Sequence, residues 1–152
     1  MPDTTVAIAA DHAGFDLKEI LKKDLERAGC EVLDLGTHDG SSVDYPDFGA
    51  AVARAIIDGR ATRGVVVCGT GIGIAIAANR FPRIRAAVCH NGLTARLARQ
   101  HNNANVLALG SRIIGVAVAR DCLREFLTTA FEGGRHARRV DKLSGLPTGE
   151  EP

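Results

Sequence analysis

The chain has 152 residues, of which 45% are hydrophobic and 24% charged, and its formal net charge is +1. That length suits one domain with a real core, and the balance of charge lacks the basic excess that a phosphate backbone demands. With one Tyr, five Phe and no Trp, little is left to stack bases, so nucleic acid is not an expected partner.

In chain order, TVAIAA (5–10) reads as a first strand; with an Asp and no basic region before it, it is not a signal peptide. Phe15, Leu17, Ile20, Leu21 and Leu25 recur at helical spacing, and Gly29 supplies the stop. EVLDL (31–35) is a second strand, and Tyr45 to Ile57 a second helix, with Pro46 in its first turn and Gly59 past its end. GVVVCG (64–69) is a third strand, followed by a glycine loop and a short helix from Ile74 to Asn79. RAAVCH (85–90) and NVLALG (105–110) are the fourth and fifth strands, with a helix from Leu93 to Gln100 between them and another from Val116 to Phe131 after them. GGRHARRVDKL (133–143) holds a last short helix, and SGLPTGEEP (144–152) is a frayed tail beyond a single domain over 1–143. No apolar run approaches the ~20 residues of a membrane span.

Short apolar strands alternating with amphipathic helices predict an α/β fold, a three-layer αβα sandwich around a five-stranded parallel sheet. The common strand order 2-1-3-4-5 puts a crevice between strands 1 and 3, at their carboxyl ends, where such sheets bind ligands. The segments AADHAG and VCGTGIG both end on that crevice.

Gly69, Gly71 and Gly73 let the backbone turn tightly and aim successive amides at one space before a helix. The dinucleotide fingerprint fails because its third glycine is replaced by Ile74, and a triphosphate loop would need a Lys that is missing. Two readings stay open: a structural turn, or a hole for a phosphate or a developing oxyanion. Cys30, Cys89 and Cys122 read as small buried hydrophobes. Cys68 differs, because a strand end beside a helix N-terminus suits a thiolate acting as nucleophile or as base. The scattered thiols form no C-x-x-C pair, which disfavours zinc and suits a reducing, cytoplasmic setting. His38, His90 and His136 read as cap or surface residues, whereas His12 in the crevice and His101 before the fifth strand are functional candidates. No histidine spacing suits a metal. Arg135 and Arg139, four apart, form either a solvated basic face or a fork for a phosphate monoester, and Arg112 is a third candidate on the rim.

AADHAGFDLK, DYPDFG, CGTGIGIAIAAN, RQHNNANVLALGSR and FEGGRHARRV together resemble the type B ribose-5-phosphate isomerases, a family that includes allose-6-phosphate isomerase and the galactose-6-phosphate isomerase subunits. The resemblance covers the chain up to about Leu143. It implies a Rossmann-like sandwich that forms a homodimer, or a tetramer, with active sites shared between subunits. It also implies aldose–ketose isomerisation of a sugar phosphate, with no metal and no cofactor. By the resemblance, Cys68 is the base that shuttles a proton between carbons 1 and 2. The backbone of Gly69, Gly71, Ile72 and Gly73, with Thr70, holds the enediolate. His101 helps to open the furanose ring, with Asn102 beside it. Asp11 and Tyr45 meet sugar hydroxyls, and His12, Arg112, Arg135 and Arg139 bind the phosphate. One branch of the family uses a glutamate just after the loop; Ile74 stands there, so the chain resembles the cysteine branch. The substrate is ribose 5-phosphate or another sugar phosphate, such as allose 6-phosphate, galactose 6-phosphate or a tetrulose phosphate. A non-catalytic phosphosugar or nucleotide sensor is the rival from another class, but it has no need of a thiol base and a ring-opening histidine together.

Overall fold

A computed structural model describes residues 4–147. The elements are β1 (Thr5–Ala10), α1 (Phe15–Arg27), β2 (Glu31–Asp34), α2 (Tyr45–Ile57), β3 (Arg63–Cys68), α3 (Ile72–Asn79), β4 (Ala86–Val88), α4 (Gly92–Asn102), β5 (Val106–Gly110), α5 (Val116–Thr128) and α6 (Arg135–Ser144). All five strands are parallel, in the order β2-β1-β3-β5-β4. The expected order 2-1-3-4-5 is therefore corrected at one edge. β5 is buried along its whole length, while the three residues of β4 are half-buried. The more apolar strand takes the inner place, and the Asn79 side chain both donates to and accepts from the Ala86 backbone beside β4, one way of blunting an edge.

Right-handed crossovers then put α2 and α3 on one face and α1, α4 and α5 on the other. Val52, Ala53, Ile74 and Ala78 pack on Ala7, Ala9, Val66 and Ala108 on the first face. Leu21, Leu25, Leu123 and Phe126 pack on Val6, Ile8, Val65 and Leu107 on the second. Alternate residues of β1 and β3 serve opposite cores, as the pleat requires, and Cys68 falls on the α3 side.

Several boundaries differ from expectation. α3 begins at Ile72, because Gly71 before it is left-handed (φ +79°) and redirects the chain. α4 runs on to Asn102, so His101 and Asn102 lie in its last turn. α5 stops at Thr128 because Thr129 is extended, and its carbonyl accepts from Arg99 Nε at 3.1 Å. Ser144 ends α6 and so does not belong to the expected tail, of which residues 148–152 lie outside the described residues.

α1 is pinned to β2 by a buried ion pair. Lys18 is fully buried, with Nζ 2.9 Å from both Asp34 carboxylate oxygens and 2.8 Å from Glu19 Oε1. Burial alone would raise the Asp34 carboxyl, but hydrogen bonds from Lys18, the Gly36 amide and Lys22 outweigh it and hold it below its ordinary range. Among the described residues no helix is long and apolar enough to cross a membrane.

Candidate active site

At the carboxyl end of β3 the chain passes from Cys68 into Gly69, Thr70 and Gly71 and then into α3. The loop interlocks with the end of β5. A Cβ on Gly71 would stand 2.9 Å from the Leu109 carbonyl carbon, and one on Gly110 would stand 2.5 Å from the Thr70 oxygen. Side chains at these positions would drive the two backbones apart. The Ser111 amide donates to the Cys68 carbonyl and the Arg112 amide to the Gly69 carbonyl, both at 2.9 Å.

The Gly71 amide donates to Cys68 Sγ at 3.1 Å. The sulfur is thus the acceptor of an N–H at a helix N-terminus, the environment in which charge on sulfur is tolerated. Cys68 is 4% exposed, so within one chain it is largely covered by the loop and by the α2–α3 core. Thr70 Oγ1 accepts from the Ile72 amide at 3.2 Å, and Gly73 in the first turn of α3 has an amide with no intrahelical acceptor. Thr70 and Ile72 are exposed.

Four further predicted residues gather on this edge. The Asp11 amide donates to the Val67 carbonyl at 3.2 Å, which brings the end of β1 beside Cys68. The Asp11 side chain is buried and accepts from the Gly14 amide at 3.1 Å. His12 is exposed, and its Nδ1 lies 3.1 Å from the Val43 amide and 3.2 Å from the Val43 carbonyl, which ties the ring to the segment before α2. Tyr45, at the start of α2, lays its ring on Gly73, where a Cβ would come within 2.6 Å of Cε2. Arg112, the fourth, lies along Gly69: a Cβ there would meet its Nη1 at 3.2 Å.

The remaining candidates lie elsewhere. α4 runs back from the carboxyl edge of the sheet to the amino edge, so His101 and Asn102 sit below the start of β5. Cys68 pairs with Gly110 at one end of β5 and Gly64 with Val106 at the other; four parallel-strand steps make about 13 Å. Arg135 and Arg139 stay with His101, because His136 between them stacks on the His101 ring, centroids 4.4 Å apart and 12° from parallel. The expected site is therefore split: Asp11, His12, Tyr45, Cys68, Gly69 to Gly73 and Arg112 on one edge, and His101, Asn102, Arg135 and Arg139 on the other.

Two further residues of the second edge carry no functional expectation from the sequence. Arg99 is buried and donates to Thr129 O, Asn103 Oδ1 and Ala104 O, anchoring the end of α4. Burial, with Arg63 and Arg85 nearby, lowers its guanidinium to about 10. His136, expected at the surface, is instead buried; of the α6 side chains only His136 and Val140 turn inward, one helical turn apart. That i, i+4 pair on an otherwise polar helix is the signal that could have marked it. Burial, then His101 and Arg135, hold its imidazole below the ordinary range, against the opposing pull of Glu132. A concavity of about 400 Å³ adjoins this edge, lined in part by Phe81, Ile84, Arg85, Asn102 and Leu143, rather than Cys68.

The ribose/galactose isomerase family model matches residues 6–143. The chain belongs to that family. It is 43% identical over 141 residues to ribose-5-phosphate isomerase B of Escherichia coli, covering 93% of this chain and 95% of that one. It is also 43% identical over 140 residues to D-erythrulose-4-phosphate isomerase of Pectobacterium atrosepticum, covering 91% and 92%. The solved structure of Clostridium thermocellum ribose-5-phosphate isomerase B superposes with a TM-score of 0.92 at 51% identity, covering 93% and 95%.

Proposed function

We propose that the chain interconverts ribose 5-phosphate and ribulose 5-phosphate through an enediolate, with Cys68 carrying the proton and neither metal nor cofactor taking part. The observation that carries this reading is the Gly71 amide donating to Cys68 Sγ at the N-terminus of α3. A proton carrier and donors for the resulting charge stand side by side there, as proton abstraction next to a carbonyl requires.

His101 opens the ring: the C1 hydroxyl gives up its proton, the C1–O4 bond breaks as the aldehyde forms, and O4 takes a proton. Cys68 then removes the hydrogen on C2, and the electron pair moves through C1 onto O1. The free amides of the loop and Thr70 meet that charge; one such donor contributes roughly 3 kcal/mol in comparable sites. Cys68 returns the proton to C1, while O2 loses its hydrogen as the ketone forms and O1 gains one. Asp11 and Tyr45 orient the hydroxyls. His12 and Arg112 hold the phosphate from one side, Arg135 and Arg139 from the other, and that grip fixes the reacting carbons.

Because the two groups of residues lie on opposite edges of one chain, each site takes one edge from each of two copies, in a homodimer or in a tetramer of such dimers. Four free cysteines fit a reducing, cytoplasmic setting. The equal identity to a tetrulose-phosphate isomerase supports a second reading in which a shorter substrate is preferred. Turnover of ribose 5-phosphate, allose 6-phosphate and erythrulose 4-phosphate, compared by kcat/KM, decides between them. In deuterated water the wild type should place deuterium on the product carbon and Cys68→Ala should not; exchange that survives in Cys68→Ala removes the sulfur from its role.

A further inference from the structure

His136 takes no part in the chemistry described so far, yet its setting is unusual. It is 6% exposed, and its Nε2 is buried without a hydrogen-bond partner. The groups facing it are His101 on α4, Glu132 before α6, whose Oε2 is 3.7 Å away, and Arg135 and Arg139 on its own helix. An orphaned buried nitrogen is a cost that an aliphatic side chain would avoid. What an aliphatic side chain lacks is a flat face, and a flat face is what His101 rests on.

We propose that His136 is a positioning residue that fixes the plane of the His101 imidazole by stacking beneath it, for the ring-opening step alone. The proposal rests on the reading of His101 as the ring-opening group. His101 lies in the last turn of α4 and is half-exposed, so helix geometry alone leaves its ring free to rotate. The stack removes that freedom, as a supporting contact must if a catalytic group is to act along one line. Burial, His101 and the neighbouring arginines hold the His136 imidazole below its ordinary range. Imidazole is the smallest flat ring available to a side chain, and it meets this need in a space closed by α4 and α6.

The chemistry of the two substrates separates ring opening from the steps that follow. Ribose 5-phosphate closes a furanose ring through O4, whereas ribulose 5-phosphate would need O5, which carries the phosphate, and so stays open. Proton exchange at C1 of ribulose 5-phosphate thus needs Cys68 but no ring opening. His136→Ala should lower kcat on ribose 5-phosphate by about tenfold or more, with KM and the C1 exchange rate of ribulose 5-phosphate held within about twofold. His136→Phe, which keeps a flat ring and gives up both ring nitrogens, should recover ribose turnover to within about threefold. If His136→Ala fails to fold, His136→Gln fills the same space without a ring and must behave as the alanine variant would.

A readout without substrate accompanies these: the ring-current shift of the His101 Cε1 proton should be kept in His136→Phe and lost in His136→Ala or His136→Gln. Unchanged ribose turnover in a ring-less variant overturns the proposal. So does an equal loss in ribose turnover and ribulose exchange, or a folded phenylalanine variant as slow as the ring-less one. A wild type that neither turns over ribose 5-phosphate nor exchanges the C1 protons of ribulose 5-phosphate instead overturns the isomerase reading on which the proposal rests.

Discussion

Mixing two crippled variants should restore activity that neither has alone. In one chain Cys68 and His101 stand at opposite ends of β5, about 13 Å of strand apart, whereas the proposed reaction brings one substrate to both. If each site joins the Cys68 edge of one copy to the His101 edge of another, a dimer of Cys68→Ala with His101→Ala holds one site with both defects and one with neither. Random re-pairing makes half of all dimers mixed, each with one of its two sites complete, so the mixture should show about 25% of wild-type activity. The variants are unfolded and refolded together, mixed dimers are counted by native mass spectrometry, and turnover is followed with ribose 5-phosphate. Should both residues come from the same chain, each site of a mixed dimer would carry one defect. Mixed dimers no more active than the average of the two parents would therefore refute the shared site.

Gly71→Ala forces a side chain onto a left-handed residue (φ +79°) and into the Leu109 backbone at 2.9 Å. It should cost at least about 1 kcal/mol in stability, and should lower kcat by about 100-fold as the amide leaves Cys68 Sγ; normal kcat would show that this hydrogen bond is idle. Arg135→Ala and Arg139→Ala should each raise KM by about tenfold with little change in kcat, and an unchanged KM would remove them from phosphate binding. Lys18→Met leaves Asp34 with weaker compensation and should cost about 3 kcal/mol in urea unfolding at pH 7. The folded Asp34 carboxyl is held below its unfolded value. Its contribution is therefore complete above ~pH 4 and is lost as pH falls through the folded value. The gap between wild type and Lys18→Met should shrink in acid; a gap independent of pH would mean that the ion pair is not its source.

Much of the fold is legible in the residues, because strands buried on both faces and helices with one buried face write different periods into the chain. TVAIAA, GVVVCG and NVLALG mark inner strands, and Gly29 and Gly59 mark helix ends. The glycine loop is legible for the same local reason: Gly71 needs a backbone region that side chains resist. The burial of His136 is written more faintly, because a single inward turn on a polar helix supplies one i, i+4 pair and no longer repeat.

Local interactions thus determine which segments are strands and helices, and that a thiol precedes a turn of free amides. Strand order is different, since it depends on which strand buries more area beside β3, a comparison between distant segments. By giving that place to β5, the tertiary structure laid Arg112 along Gly69 and carried α4 to the face it shares with α5. The same choice sent His101 to the far edge of the sheet, where helix direction and strand length, which no local pattern records, keep it from the sulfur of its own chain.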